Sequence, residues 1–142
     1  HHGNGTVDIF KDDPRVLVCS SYQDHLYPNR YFELVKSNII NTPLVEGTRS
    51  QQFRSAISDS WLPAIESHQP DLIFISAGFD AHELDPLAQI NLSKDDFTWI
   101  TNEIVTLANA HCEGRIVSAL EGGYHLEALA ESAQCHIESL CE

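Results

Sequence analysis

Three positions in this 142-residue chain carry side chains that could share one chemical step. His1 lies in the segment HHGNGT, Asp80 lies in SAGFDAH, and Tyr124 ends the segment LEGGY. A histidine nitrogen and a carboxylate oxygen suit Zn²⁺ as ligands. A tyrosine beside a metal keeps its proton near neutral pH and can donate a hydrogen bond to a developing oxyanion. These residue types indicate metal-assisted hydrolysis of an amide, for which a third ligand and a general base would still be needed.

Two predicted β-strands would position Asp80 and Tyr124. An apolar run bounded by turn signals predicts a strand over 71–77 that is buried on both faces of a parallel sheet. A similar run predicts a strand over 115–120, and glycines follow it before Tyr124. Because parallel strands present their carboxyl ends at one edge, we expect Asp80 and Tyr124 to be neighbours. The plainer alternative makes Asp80 a helix cap or loop carboxylate and Tyr124 a core residue.

Strand and helix patterns alternate from residue 38 to the end, which predicts right-handed βαβ units in an α/β fold. The other predicted elements near the amino end are a loop over 1–8, a strand over 16–20 and an edge strand over 37–44. A helix is predicted to begin near 46–47, with an apolar stripe at Phe53, Ile57 and Trp61, and Pro63 should end or kink this helix. Two further helices are predicted, one capped by Ser93 that runs to about His111 before Gly114, and one over 126–140.

Composition narrows the class of protein. Hydrophobic residues make up 42% of the chain, enough for one core, and the formal net charge of −13 disfavours binding to a nucleic-acid backbone. No apolar run reaches the ~20 residues of a membrane span, and no secretory signal is recognisable. None of the four cysteines forms a C-x-x-C pair. We therefore expect reduced thiols in a cytoplasmic protein that contacts neither membrane nor nucleic acid.

The chain contains no methionine and starts in the middle of a motif. We interpret it as a fragment or excised segment, although the two leading histidines could also be the remnant of a purification tag.

Three ordered motifs resemble a known family. HHGNGT at 1–6, SAGFDAH with DPLA over 76–88, and LEGGY with LEALA over 120–130 resemble the C-terminal half of the zinc-dependent histone deacetylase family. This family includes acetylpolyamine amidohydrolases, and the sequences of the SAGFDAH and EGGY motifs are most similar to its class II and bacterial branch. The resemblance implies a parallel-sheet, three-layer arginase/deacetylase-like fold, of which residues 1–142 form one partial domain. It also implies hydrolysis of an N-acetyl amide such as acetyl-lysine in the intact protein.

The resemblance assigns roles to individual residues. His1 and Asp80 match zinc ligands, and Tyr124 matches the catalytic tyrosine that hydrogen-bonds the substrate carbonyl. Tyr27 matches an aromatic wall of the acyl-lysine tunnel. Leu87 stands where polyamine-selective members can carry an acidic residue, which favours acyl-lysine or an uncharged substrate over a polyamine.

The resemblance also implies two structural K⁺ or Na⁺ sites. Ser20 and Ser21 match positions near one of them, and Phe10, Asp13 and Val16 match positions near the other. His2 is expected to be a buried hydrogen-bonding residue rather than a ligand.

Several parts of the family's site are absent from these residues. The aspartate ligand that precedes the first histidine and a tandem histidine pair further upstream are both absent, and 29–32 replaces a glycine-rich turn. A truncated, non-catalytic module therefore remains an alternative, as does an unrelated α/β domain. Arginase-like metallohydrolases use two metals and richer Asp/His clusters than this chain offers. The substrate and the oligomeric state stay open.

Overall fold

The computed structural model describes residues 1–142, which form four strands and four helices in alternating α/β order. None of the four helices has the length and hydropathy that a membrane crossing requires. In chain order the elements are α1 (Asn4–Phe10), β1 (Val18–Gln23), β2 (Ile39–Leu44), α2 (Ser50–His68), β3 (Ile73–Ala77), α3 (Lys94–His111), β4 (Ile116–Leu120) and α4 (Leu126–Cys141).

The strands form two parallel pairs, which confirms the predicted parallel α/β architecture. β1 pairs with β2 from Val18↔Ile39 onward, and β3 pairs with β4 from Ile73↔Ile116 onward. The two pairs are not hydrogen-bonded to each other. A cavity of about 670 Å³ lies between them, lined by every residue of β1 and by Ile75–Ala77 of β3, but by none of β4. The edges of β1 and β3 therefore face each other across this cavity.

One main hydrophobic core supports the β3 side of the molecule. The predicted helical stripe is confirmed, because Phe53 and Ile57 are buried in this core and Trp61 packs against it. The predicted cap and stop of α3 are also confirmed. Ser93 is the N-cap, and Gly114, at φ +72°, donates its N–H to the carbonyl of Ala108. The buried core residues are Leu44, Phe53, Ile57, Ala77, Phe79, Ile90, Leu92 and Phe97.

Two predictions about local structure are wrong. The loop predicted over 1–8 contains most of α1, because Val7 is fully buried against Val18 and Ile39 and tertiary packing outweighs the glycines. The helix end predicted at Pro63 is the second, since α2 is continuous to His68, while the alternative of a kink stays a prediction. The carbonyl that loses its partner to Pro63 belongs to the exposed Asp59, where water can satisfy it.

Two strand predictions also need correction. β3 is buried on one face only, because no element covers the face that carries Phe74, which is 62% exposed. The strand predicted over 16–20 instead runs over Val18–Gln23. Its polar end is stabilised inside the protein, because the amide of Gln23 donates to Gln89 Oε1 and accepts the Gln89 backbone N–H.

A buried carboxylate joins the amino ends of α2 and α3. Asp96 is fully buried and accepts hydrogen bonds from Arg54 Nε at 2.9 Å, Ser50 Oγ at 2.7 Å and the Ser93 N–H at 3.0 Å. Its charge is therefore paired with a guanidinium while it also satisfies a helix N-terminus. This cluster joins the helices that contribute Phe53, Ile57 and Phe97 to the core.

We predict that Asp96→Asn lowers the free energy of unfolding by about 3 kcal/mol, because it leaves Arg54 without its carboxylate. Urea unfolding at neutral pH measures the change. Asp95→Asn is the matched control, since Asp95 is the exposed neighbour in the same helical turn. Equal stability of the two variants would contradict this role of Asp96.

Candidate metal and substrate site

Backbone hydrogen bonds beyond the ends of β3 and β4 hold the two predicted site loops together. Glu121 donates its N–H to the carbonyl of Ala77 at 2.9 Å, and Phe79 donates its N–H to the carbonyl of Gly122 at 2.8 Å. These bonds continue the parallel pairing past both strands. The segments that carry Asp80 and Tyr124 are therefore neighbours, as the strand pattern predicts.

Phe79 anchors the loop that carries Asp80. Its side chain is 4% exposed and lies edge-on to Phe97 and to the ring of His136. His136 bridges the hydroxyl groups of Thr101 and Ser118, each at 2.8 Å, and burial lowers its pKa. An imidazole with both nitrogens hydrogen-bonded to hydroxyl groups thus packs beneath the loop and borders the cavity.

The two predicted metal ligands meet at the carboxyl end of β3. His1 Nδ1 donates a hydrogen bond to Asp80 Oδ2 at 2.9 Å, and the Asp80 side chain is 16% exposed. The carboxylate lies against two glycines. A Cβ on Gly122 would stand 2.8 Å from Asp80 Cγ, and one on Gly78 would stand 3.0 Å from Oδ1. Gly122 must therefore lack a side chain for Asp80 to occupy this place, and a side chain at Gly78 would crowd the carboxylate.

His2 points away from that pair. It is 3% exposed, Nδ1 lies 2.8 Å from Ser20 Oγ, and its ring packs on Tyr22 and Phe32. Burial lowers its pKa. His2 therefore ties the opening segment to β1, as expected for a buried hydrogen-bonding residue.

The predicted pocket residues line the same cavity as His1 and Asp80. Tyr27, Leu87 and Tyr124 all border it, with exposed fractions of 73%, 48% and 55%. The Tyr27 ring lies edge-on to the His1 ring, with centroids 6.3 Å apart. The cavity mouth thus combines two aromatic side chains and an aliphatic one around a histidine and a carboxylate.

The residues matched to cation sites fall into two groups. The carbonyls of Phe10, Asp13 and Val16 converge on one point, where all three accept hydrogen bonds from Asn38 Nδ2 at 2.9 to 3.1 Å. Ser20 contacts His2, and Ser21 lines the cavity beside it. The assignment of both groups to K⁺ or Na⁺ stays a prediction.

The His1–Asp80 pair fits part of a zinc site. The nitrogen and oxygen atoms are 2.9 Å apart, close to the roughly 3.4 Å that separates two ligands of a tetrahedral zinc with bonds near 2.1 Å. However, no group of three His, Cys, Asp or Glu side chains converges anywhere in the chain.

The remaining histidines near the site do not supply the third ligand or a base. His82 is buried and accepts the N–H of Leu84, His125 accepts the N–H of Ala128 at the start of α4, and the side chain of His25 is 90% exposed. The pair therefore offers two of the three protein ligands that a catalytic zinc needs.

Sequence reasoning did not identify one residue of the site, Asp85. Asp85 is 7% exposed, and its two carboxylate oxygens accept the backbone N–H groups of Tyr124 at 2.8 Å and of Leu87 at 3.0 Å. The contact with Leu87 is an Asx turn, which the spacing of an aspartate two residues before its partner could have indicated. The contact with Tyr124 spans 39 residues and leaves no local signal.

Comparison with known proteins identifies the family of the chain. The histone deacetylase domain family matches residues 1–140. Histone deacetylase 14 of Arabidopsis thaliana, a chloroplastic protein, is 38% identical over 93% of the chain, and a probable deacetylase of Archaeoglobus fulgidus is 35% identical over 89%. The chain spans 33% and 37% of these two relatives, about a third of their length.

A solved structure agrees with the fold. The crystal structure of acetylpolyamine aminohydrolase from Burkholderia pseudomallei superposes with a TM-score of 0.87 at 28% identity, over 99% of this chain and 42% of that one. Its α/β arginase/deacetylase-like fold is therefore the fold of this chain. With a family match over nearly all of its residues, the chain belongs to the histone deacetylase family.

Proposed function

We propose that the complete protein containing this chain is a zinc-dependent deacetylase that hydrolyses an N-acetyl amide of the acetyl-lysine type. The observation that carries the proposal is the 2.9 Å contact between His1 and Asp80 at the mouth of an aromatic-lined cavity, beside the loop that carries Tyr124. In the reaction, water adds its oxygen to the acetyl carbonyl carbon. The carbon–nitrogen bond then breaks, and acetate and a free amine leave.

Each residue of the site has a role in this proposal. His1 Nδ1 and Asp80 would hold the zinc, and the Nδ1 proton that now bonds Asp80 would be released. When bound, Zn²⁺ supplies Lewis acidity toward the carbonyl and lowers the pKa of a water. Tyr124 donates its phenolic proton in a hydrogen bond to the carbonyl oxygen as negative charge develops there. Tyr27 and Leu87 form walls of the cavity around the acyl-lysine side chain.

The third ligand and the general base must come from outside these residues in this proposal. An additional parallel strand between β1 and β3 would supply the third ligand, as an aspartate near the carboxyl ends of both neighbours. Three features favour this arrangement: β1 and β3 each pair on one side only, a cavity separates them, and His1 and His2 contact Asp80 and Ser20 at its mouth.

The nature of Leu87 guides the proposal about substrate. A polyamine carries a second ammonium at a distance from the scissile amide, and a carboxylate at the rim would pair with it. Leu87 offers no charge, so we propose acyl-lysine or an uncharged substrate rather than a polyamine. A cytoplasmic location belongs to the same proposal and rests on the four free cysteines.

A non-catalytic module is the second candidate. The observation that favours it is the absence of any third ligand within reach of His1 and Asp80. Zinc would bind weakly to two ligands, and the unpaired edges of β1 and β3 would promote association between copies. Zinc content and turnover of the protein expressed from its complete gene distinguish the two candidates.

We predict that Tyr124→Phe lowers kcat for an acetyl-lysine peptide by about 10²- to 10³-fold, because it removes a donor to the developing oxyanion. Bound zinc, measured by elemental analysis, stays at the wild-type ratio. Tyr31→Phe is the matched control, since it removes a surface hydroxyl that bonds Asp8. Wild-type turnover in the Tyr124 variant would exclude this role.

We predict that Gly122→Ala weakens zinc binding by about 10- to 100-fold, because the added Cβ collides with the Asp80 carboxylate. Competition with a chelator of known affinity measures the change. Gly5→Ala has open space around its Cβ and should bind zinc as the wild type does. Unchanged affinity in the Gly122 variant would mean that Asp80 is not a ligand.

A further inference from the structure

Asp85 is a buried carboxylate without a cation. It is 7% exposed, and none of the ion pairs in the chain involves it. Its side chain accepts only backbone N–H groups, from Tyr124 on one oxygen and from Leu87 on the other. A carboxylate that loses its hydration on burial needs such charge-assisted hydrogen bonds, so it holds both N–H groups firmly.

The two N–H groups belong to different loops that border the same cavity. Leu87 lies between β3 and α3, and Tyr124 lies between β4 and α4. Both side chains are about half exposed, so packing alone does not immobilise them. Asp85 is therefore a direct link between the wall of the pocket and the tyrosine.

A glycine with a positive φ stands immediately before Tyr124. Gly123 has a φ of +133°, a region that other residues rarely adopt, so its backbone can rotate where a side chain would prevent it. On the upstream side, the bond between Phe79 and Gly122 fixes the loop. On the downstream side, the bond to Asp85 fixes Tyr124 itself. Loss of the second bond would leave the tyrosine free to turn about Gly123.

We propose that Asp85 is a positioning residue that fixes Tyr124 and Leu87 relative to each other, so that one carboxylate sets both the hydrogen-bond donor and the wall of the substrate pocket. This inference rests on the proposed deacetylase function for its effect on catalysis. The contacts themselves do not depend on that function. Because a carboxylate has only acceptor oxygens, the isosteric asparagine can serve one of the two N–H groups and must present its own NH₂ to the other.

The kinetic test uses the protein expressed from its complete gene, loaded with zinc, and an acetyl-lysine peptide. We expect Asp85→Asn to lower kcat by about 10- to 100-fold with wild-type zinc content. In the Tyr124→Phe background, the same substitution should lower kcat by less than about twofold, because the effect of Asp85 on kcat passes through that hydroxyl. Additive losses in the double variant would overturn the link to Tyr124.

Amide hydrogen exchange tests the contacts without any turnover. In the wild type, we expect the N–H groups of Tyr124 and Leu87 to be protected, and Asp85→Asn to speed exchange of at least one of them by roughly tenfold or more. The N–H of Phe79, which bonds Gly122, should keep its rate. Glu83→Gln is the matched control, since Glu83 is an exposed acid in the same loop and should change neither rate nor kcat.

The two arms separate failure of this inference from failure of the proposed function. Absent turnover in the wild type together with the expected exchange pattern would reject the deacetylase proposal and keep the role of Asp85 in holding the loops. Fast exchange of both amides in the wild type would overturn the inference even if Asp85→Asn does not fold. Wild-type kcat and exchange rates in Asp85→Asn would overturn it as well.

Discussion

The site depends on the parallel pairing of β3 and β4 continuing beyond both strands. The bonds from Glu121 to Ala77 and from Phe79 to Gly122 place the two loops side by side. The approach of Gly122 to Asp80 and the bond from Tyr124 to Asp85 both join these two loops. A slip by one residue would reverse which side chains face the core, so the burial of Phe79 fixes the position of Asp80 next to it.

Close approach of the backbones follows from this register and restricts the residues that can line it. Asp80 stands where Cβ atoms on Gly78 or Gly122 would collide with its carboxylate. Beneath the loop, Phe79 is packed by Phe97 and by a His136 ring held between two hydroxyls. The packed Phe79 and the small Gly122 thus allow the carboxylate to lie where His1 contacts it.

The sequence predicted those parts of the fold that depend on nearby residues. Alternating apolar patterns, the Ser93 cap and the Gly114 stop all act within a few positions, and the structure confirms the elements they indicate. The predictions failed where distant contacts decide. α1 forms because Val7 is buried against β1 and β2. β1 extends to Gln23 because the side chain of Gln23 is hydrogen-bonded to Gln89.

The predictions for the candidate site also succeeded or failed according to whether nearby residues indicate the contact. Asp80 and Tyr124 were predicted to be neighbours because strand ends meet at one edge, whereas His1 joined them through its chemistry and the family resemblance. The three do border one cavity. Asp85 could not be found in this way, since its bond to Tyr124 joins loops that only the folded chain brings together. The uncovered face of β3 likewise depends on what packs there, which a pattern within the strand does not encode.

A crystal structure of the zinc-loaded protein from its complete gene, with anomalous data collected at the zinc edge, tests the central claim most directly. The account predicts one strong peak bonded to His1 Nδ1 and to an oxygen of Asp80 at about 2.0–2.2 Å, replacing their direct hydrogen bond. A direct His1–Asp80 bond that persists at full zinc occupancy, with the metal elsewhere or absent, would contradict it.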